Sequence, residues 1–341
     1  MVIVLVVLVV ALLAAAALVA AVRWRDRTEL QQAAGYAPGD AERLSWTDWA
    51  GVREAVGTDE LGKLLDRGFD RDLTSTSALV QSGPELEDRF GFSPATVDWE
   101  LFAQSEQGAV VILRLPDGTD FDDLADGLER SGFQRPGDGD TDGAVWEGGS
   151  ELLAEIGSTL TPELQYVALD ADERLVLTSD TRAYLEHAVD ALGDGELPDG
   201  MTEVVEASDD ALSAAVYDGP YTCAALAMSH ADRADQAEAE RLVADAGEVN
   251  PVTGFAMSAQ PGGQVRVAMS FEGEDQARTN AETRAVLAGG PAPGQGGDFT
   301  DRFSVESATA DGDVVTLDLA PAEGSYVLSD LSTGPVLFAT C

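Results

Sequence analysis

The first twenty-two residues, MVIVLVVLVVALLAAAALVAAV, contain no polar side chain. As a helix, such a run reaches roughly 33 Å, enough to cross the ~30 Å hydrocarbon core of a bilayer. A helix in a soluble core does not need so unbroken an apolar surface. A cleaved export signal carries a shorter apolar region of ~7–15 residues behind a basic start. This run is longer and has no basic start, although Val19-Ala20-Ala21 would serve as a small-residue cleavage site. No cysteine follows at a lipid-anchor position. Residues 1–22 are therefore read as a retained transmembrane helix or signal anchor, and the membrane is the first partner implied.

Two features bear on which side of that membrane the rest lies, and they oppose each other. Arg23, Arg25 and Arg27 follow the run, and positive charge beside a span favours the cytoplasm. The chain has two cysteines, Cys223 and Cys341, the second being its last residue. A disulfide between them would pin the C-terminus and belongs in an oxidising compartment. The expectation is a single-pass protein of the cell membrane with the bulk of the chain outside the cytoplasm.

The formal net charge is −42, from 62 Asp and Glu against 20 Lys and Arg, with Lys63 the only lysine. Binding to nucleic acid or to anionic lipid heads needs a basic patch that displaces counterions, so this charge excludes nucleic acid as a partner. It favours cations and basic partners. Apolar residues make up 45% of the chain, enough for a sizeable core.

Beyond the run, residues 23–44 are polar and turn-rich and are read as a juxtamembrane linker. Residues 45–97 are read as a helical region. SWTDWAGVREAVG places Ser45 and Asp48 at capping-box spacing, with Trp46, Trp49, Val52 and Val56 at helical intervals as a packing face and Gly57 as the stop. DELGKLLDRGF and PELEDRFGF give two more helices. From residue 98 the pattern turns to hairpins. DWELFAQSEQGAVVILRLPDG and LQYVALDADERLVLTSD each read as strand, turn, strand, and each is followed by a helix. The first of these helices, TDFDDLADGLERSGF, is read with Thr119 as its cap and Phe121, Leu124, Leu128 and Phe133 as its buried stripe. ALSAAVYDG, the hairpins at TGFAMSAQPGGQVRVAMSF and DRFSVESATADGDVVTLDLA, and the helices ADQAEAERLVADAG and DQARTNAETRAVLAGG complete the chain. The shared order in residues 164–192 and 252–288 suggests an internal repeat. The fold class expected is α+β: an N-terminal transmembrane helix, a short helical region, then two split-βαβ (ferredoxin-like) units with antiparallel sheets, at residues 98–200 and 201–341.

The stretches RLSWTDWAGVREAVG, DLTSTSALV, FGFSPATVDWELFAQS, TLTPELQYVALD and NPVTGFAMSAQPGGQVRVAMSF resemble a group of exported or membrane-anchored proteins of high-GC actinobacteria. The resemblance covers the chain beyond the apolar run. It implies export and a shared fold, and it implies no reaction.

Among candidate chemical sites, DGDTDG is the sharpest. Asp138, Asp140 and Asp142 followed by Gly143 match the first half of a calcium loop, in which alternate carboxylates converge on one cation. The second half departs from that pattern. Gly149 stands where a bidentate Glu is required, and the alternative reading is a solvated acidic turn. Calcium is the one cofactor the sequence raises. His187 and His230 have no paired metal spacing. No G-x-S-x-G is present, and the glycine-rich stretches lack the lysine and flanking elements of a phosphate loop. Cys223 is better explained by a disulfide than as a nucleophile beside His230. No catalytic residue is assigned. The functional expectation is a non-enzymatic module of the cell envelope that binds a small ligand or a protein partner. The alternatives are an envelope hydrolase using paired carboxylates and a structural or assembly protein.

Overall fold

A computed structural model describes residues 27–137, 142–193 and 195–341. No helix among them is long and apolar enough to cross a membrane, and the apolar run 1–22 lies outside them.

Eleven strands form one sheet in the spatial order β10-β11-β9-β8-β7-β1-β2-β3-β6-β5-β4. They are β1 (Arg43–Thr47), β2 (Trp99–Ser105), β3 (Gly108–Arg114), β4 (Val145–Glu147), β5 (Tyr166–Asp170), β6 (Leu175–Ser179), β7 (Ser213–Asp218), β8 (Gly254–Ala259), β9 (Val265–Ser270), β10 (Phe303–Asp311) and β11 (Val314–Pro321). Every ladder between them is antiparallel. The hairpins follow from short polar or glycine-bearing turns, such as Glu106-Gln107 between β2 and β3 and Gly312-Asp313 between β10 and β11.

Helices cover both faces. On the first face lie α2 (Trp49–Val56), α3 (Leu61–Asp70), α4 (Gly83–Arg89), α5 (Phe121–Arg130), α6 (Gly149–Ile156), α9 (Arg233–Ala246), α10 (Glu274–Ala288) and α11 (Val327–Leu331). On the second lie α1 (Glu29–Ala34), α7 (Arg182–Asp190) and α8 (Asp199–Glu206). Strand alternation feeds both cores: Val111 and Leu113 of β3 enter the first, and Val110 and Ile112 the second.

The mixed α/β class with antiparallel pairing is as expected. The finer topology differs. A split-βαβ unit sets parallel strands side by side through helical crossovers, whereas all neighbours here are antiparallel and belong to a single sheet. The expected boundary at residue 98 also separates β1 from β2, its ladder partner. The duplication is real but longer than expected. Each half runs helix, strand, helices, hairpin, helix, hairpin, helix, and its strands lie in the same spatial order: β1-β2-β3-β6-β5 and β7-β8-β9-β11-β10. The halves join through the equivalent strands β1 and β7, with Ser45 opposite Ala215. Thus β2-β3-α5 corresponds to β8-β9-α10. The expected match of residues 164–192 with 252–288 compared non-equivalent hairpins.

Three local expectations change as well. Residues read as a linker supply α1, whose Leu30, Ala33 and Ala34 are buried and whose start carries a capping box between Thr28 and Gln31. Ser45 and Trp46 belong to β1, so α2 begins at Trp49 with Asp48 as its cap and ends at Gly57 in the left-handed region. The two tryptophans therefore pack on opposite faces of the sheet. Helix α5 is capped by Asp120, whose carboxylate accepts from the Asp122 and Asp123 amides, and not by Thr119.

At the junction, a row of polar side chains crosses the first face. Ser213 of β7, Thr47 of β1 and Glu100 of β2 are in register, and all three are buried. Segment 74–79 closes over them. Thr76 Oγ1 donates to the Trp46 carbonyl (2.9 Å) and lies 2.6 Å from Ser213 Oγ. Glu100 accepts from Ser77 Oγ (2.7 Å), the Ala78 amide (2.6 Å) and Trp49 Nε1 (2.9 Å). Arg53 of α2 donates to the carbonyls of Pro94 and Val97 (3.0 and 2.7 Å). The disulfide Cys223–Cys341 forms, with Cα atoms 5.7 Å apart and a sequence separation of 118.

Removing the Glu100 carboxylate leaves three buried donors without an acceptor. Glu100→Ala is expected to cost about 3 kcal/mol in urea unfolding. Glu100→Gln also destabilises, because its amide turns a donor toward donors. A loss under about 0.5 kcal/mol, typical of an unremarkable surface site, would contradict this reading.

Candidate functional site

A cleft of about 1100 Å³ opens on the second face, between α1 and α8 and the loops beside them. Helix α1 supplies Gln31 and Ala34, and α8 supplies Thr202, Val205 and Glu206. Pro198 precedes α8, and its carbonyl accepts from the amides of Met201 and Thr202 (2.9 and 3.1 Å), which fixes the helix start beside the opening. Gln31 Nε2 reaches the Glu206 carbonyl at 3.4 Å, tying the two helices at one end.

The floor is backbone against backbone. A Cβ at Gly195 would lie 2.1 Å from the Ala37 carbonyl oxygen, and one at Gly39 would lie 2.8 Å from that of Glu196. Real Cβ atoms do not approach that closely, so glycine at both positions lets the loops meet. The rim carries the carboxylates of Glu196, Asp199 and Glu206 against the guanidinium of Arg27. A concave opening with an excess of carboxylate favours positively charged ligands.

The sites raised from sequence fall elsewhere. Asp138 and Asp140 lie outside the described residues. Asp142 is described: its Oδ1 accepts from the Ala171 amide (2.8 Å), and the Gly143 amide donates to the Leu169 carbonyl (2.7 Å). Among the described residues no group of three or more His, Cys, Asp or Glu side chains could hold a metal ion. Cys223 is bonded to Cys341 and so is not a free thiol. His187 Nε2 lies 3.4 Å from Asp40 Oδ1, which also accepts from the Tyr184 hydroxyl (3.3 Å). His230 closes a short 3₁₀ turn ahead of α9, whose cap is Asp232.

Several carboxyl groups have perturbed acidity; Glu203 of α8 is raised by burial and by the like charges of Asp313, Asp199 and Glu206, and others are engaged within the fold. Burial raises Asp48, which caps α2 through the Gly51 amide, and Asp218, which accepts from the Tyr221 amide. Burial also raises Glu100 at the junction. Asp72, only 8% exposed, is pushed up to about 6 by burial, although the amides of Leu328 and Ser329 at the start of α11 and the Ser75 hydroxyl favour its charged form. Arg284 is wholly buried, and burial pulls its guanidinium down to about 9. It donates to the carbonyls of Phe338, Thr340 and Asn250 and to Asn280 Oδ1, so it fastens the C-terminal segment beside the disulfide.

The cleft was not legible in sequence, since its walls lie some 160 residues apart and only Pro-Gly and Gly-Glu-Leu-Pro punctuation marks them. Arg284 sits mid-helix and reads there as a solvent-facing charge.

The Asp72 shift has a defined consequence for stability. The folded carboxyl holds its proton to higher pH than the unfolded one, whose ordinary value is 3.8. Between about pH 4 and pH 6 the folded state therefore binds more protons, and stability falls as pH rises through that window. Asp72→Asn is expected to flatten this slope by on the order of 1–2 kcal/mol in unfolding measured across the window. An unchanged slope would contradict the assignment.

No family model and no curated protein matches the chain. Among solved structures it is similar to TP0453 in crystal form I, at 9% identity with 91% of this chain and 98% of that chain covered and a TM-score of 0.40. It is likewise similar to TP0453 in crystal form III, at 8% identity over 88% and 97% of the two chains, again with a TM-score of 0.40.

Proposed function

We propose that this chain is a membrane-anchored, extracytoplasmic binding module of the cell envelope, belonging with the actinobacterial group it resembles, and that it takes a positively charged small ligand in the cleft between α1 and α8. The position of the cleft carries this reading. Arg27 lines the cleft and stands five positions after Val22, the end of the apolar run. Five residues span at most ~18 Å. With the run in a bilayer, the opening lies at the membrane surface, where a tethered receptor meets a ligand held near the lipid. The disulfide supports the outer side of the membrane, because such bonds persist in oxidising compartments.

The binding reading is favoured over hydrolysis by where the perturbed carboxyl groups go. A paired-carboxylate hydrolase needs two such groups free to face one substrate bond. Asp48, Asp72, Glu100 and Asp218 instead accept hydrogen bonds from donors of the fold, and neither they nor Glu203, which burial and the charges of Asp313, Asp199 and Glu206 raise, line the cleft.

Thermal unfolding of the full chain in detergent tests the proposal, with spermidine and arginine amide as cationic probes and glutamate as the anionic control. The cationic probes are expected to raise Tm by at least about 2 °C, and the combined change Glu196→Gln, Asp199→Asn, Glu206→Gln is expected to abolish the rise. Equal shifts in parent and variant would mean only diffuse attraction to a body of charge −42. That result, or no shift at all, overturns the assignment of the cleft.

A further inference from the structure

The two edges of the sheet are treated differently. Strand β4 has three residues, and its outer side is taken: the Gln134 amide donates to the Glu147 carbonyl (2.8 Å), and the Glu147 amide donates back (3.4 Å). Strand β10 has nine residues and pairs with β11 alone, with no strand against its other side among the described residues. Unpaired N–H and C=O groups along an edge are a template for another extended chain.

Helix α10 runs beside that edge. Between them lies an open groove of about 570 Å³, lined by Ala281, Ala285 and Val286 of the helix and Val305 and Ala308 of the strand. Only two large apolar side chains are markedly exposed among the described residues, Phe69 and Val286. Phe69 packs its ring against Tyr326, with centroids 5.4 Å apart, whereas Val286 opens onto the groove at 56% exposure. A helix alongside an open strand edge, with an apolar trough between them, is the geometry by which sheets accept an added peptide strand.

The charges select the occupant. Glu282 stands on the helix, and Glu306 and Asp311 lie exposed along the strand. Arg278, also in the groove, is paired with Glu274 and Asp275. Arg302 turns back onto the carbonyls of Gln295 and Gly296. The edge therefore presents carboxylates whose local countercharges are already engaged. A second copy would bring the same carboxylates on a body of the same −42 charge. The register shift between Val305 and Ser307 further opposes flat pairing of two identical edges.

We infer that β10 and α10 form a docking site for an extended segment of a partner protein, basic at alternate positions, which adds to the sheet beyond β10. Its main chain pairs with the free edge, one set of side chains enters the trough lined by Val286 and Glu282, and the other set carries Lys or Arg toward Glu306 and Asp311. This site is separate from the α1–α8 cleft and stands whether or not that cleft binds a cation.

The test uses the full chain in detergent and a pool of fluorescent nonapeptides. One phase of each peptide is Val, Ala, Thr or Phe, and the other phase is all Lys or all Glu. Lys-phase members are expected to bind and Glu-phase members not to. The change Glu306→Lys with Asp311→Lys, both exposed, is expected to weaken binding at least ten-fold. N-methylation of alternate peptide amides is expected to abolish binding, because it removes the ladder donors while keeping the charge. Failure of every Lys-phase member, or binding that survives N-methylation, overturns the strand-addition proposal. Sedimentation of the same chain showing a dimer that Val286→Lys dissociates would assign the edge to a second copy and overturn it equally.

Discussion

A single carboxylate, that of Glu100, lies at the point on which the architecture depends. It sits mid-sheet with almost no exposure and collects a tryptophan N–H, a serine hydroxyl and a backbone amide from two separate segments. Burying a charge is costly unless such donors replace its water. Here they come from α2 and from segment 74–79, so satisfying one charge fixes both against β2. The same segment reaches across β1 to Ser213 in the other half of the chain through Thr76. A polar row that would otherwise be a defect in the core becomes the clasp between two repeats.

The clasp explains why a duplicated chain forms one sheet and not two domains. Each repeat ends its sheet in a hairpin on the outside and offers β1 or β7 on the inside, and these equivalent strands pair with one another. The repeats then diverge. The first inserts α6 and β4 and has its edge covered by Gln134. The second keeps a long open edge in β10 and closes its C-terminus with the disulfide and the Arg284 network. Helices α1 and α8, which precede β1 and β7, are the equivalent pair that frames the cleft. Both openings thus arise from the duplication: one where the copies meet, the other where only one copy is uncovered.

Much of this was legible in sequence, for stated reasons. Period-2 patterns around Glu106-Gln107 and Pro261-Gly262-Gly263 mark hairpins that do form, and helices with acidic first turns follow them. Strand β1 escapes a sequence reading because Trp46 within it and Trp49 just beyond it stand at a spacing that also suits a helix. The repeat was misaligned because strand, turn, strand, helix occurs four times, ahead of α5, α7, α10 and α11, and only position in the sheet says which hairpins correspond. Glu100 reads as a solvent-facing residue of an alternating strand. Nothing local reveals that segment 74–79, more than twenty residues upstream, will cover it. Three stretches distant in sequence meet here: Trp49 and Arg53 from one, Thr76 and Ser77 from another, Pro94, Val97 and Glu100 from a third.

Native-state hydrogen exchange on the intact chain tests the central claim, that two repeats share one cooperative sheet through the β1–β7 junction. The account predicts that amides of β2 and β3 and those of β8 and β9 exchange only through the same global opening, with equal free energies and equal denaturant dependence. A lower-energy opening that releases one of these hairpins while the other stays protected would contradict it.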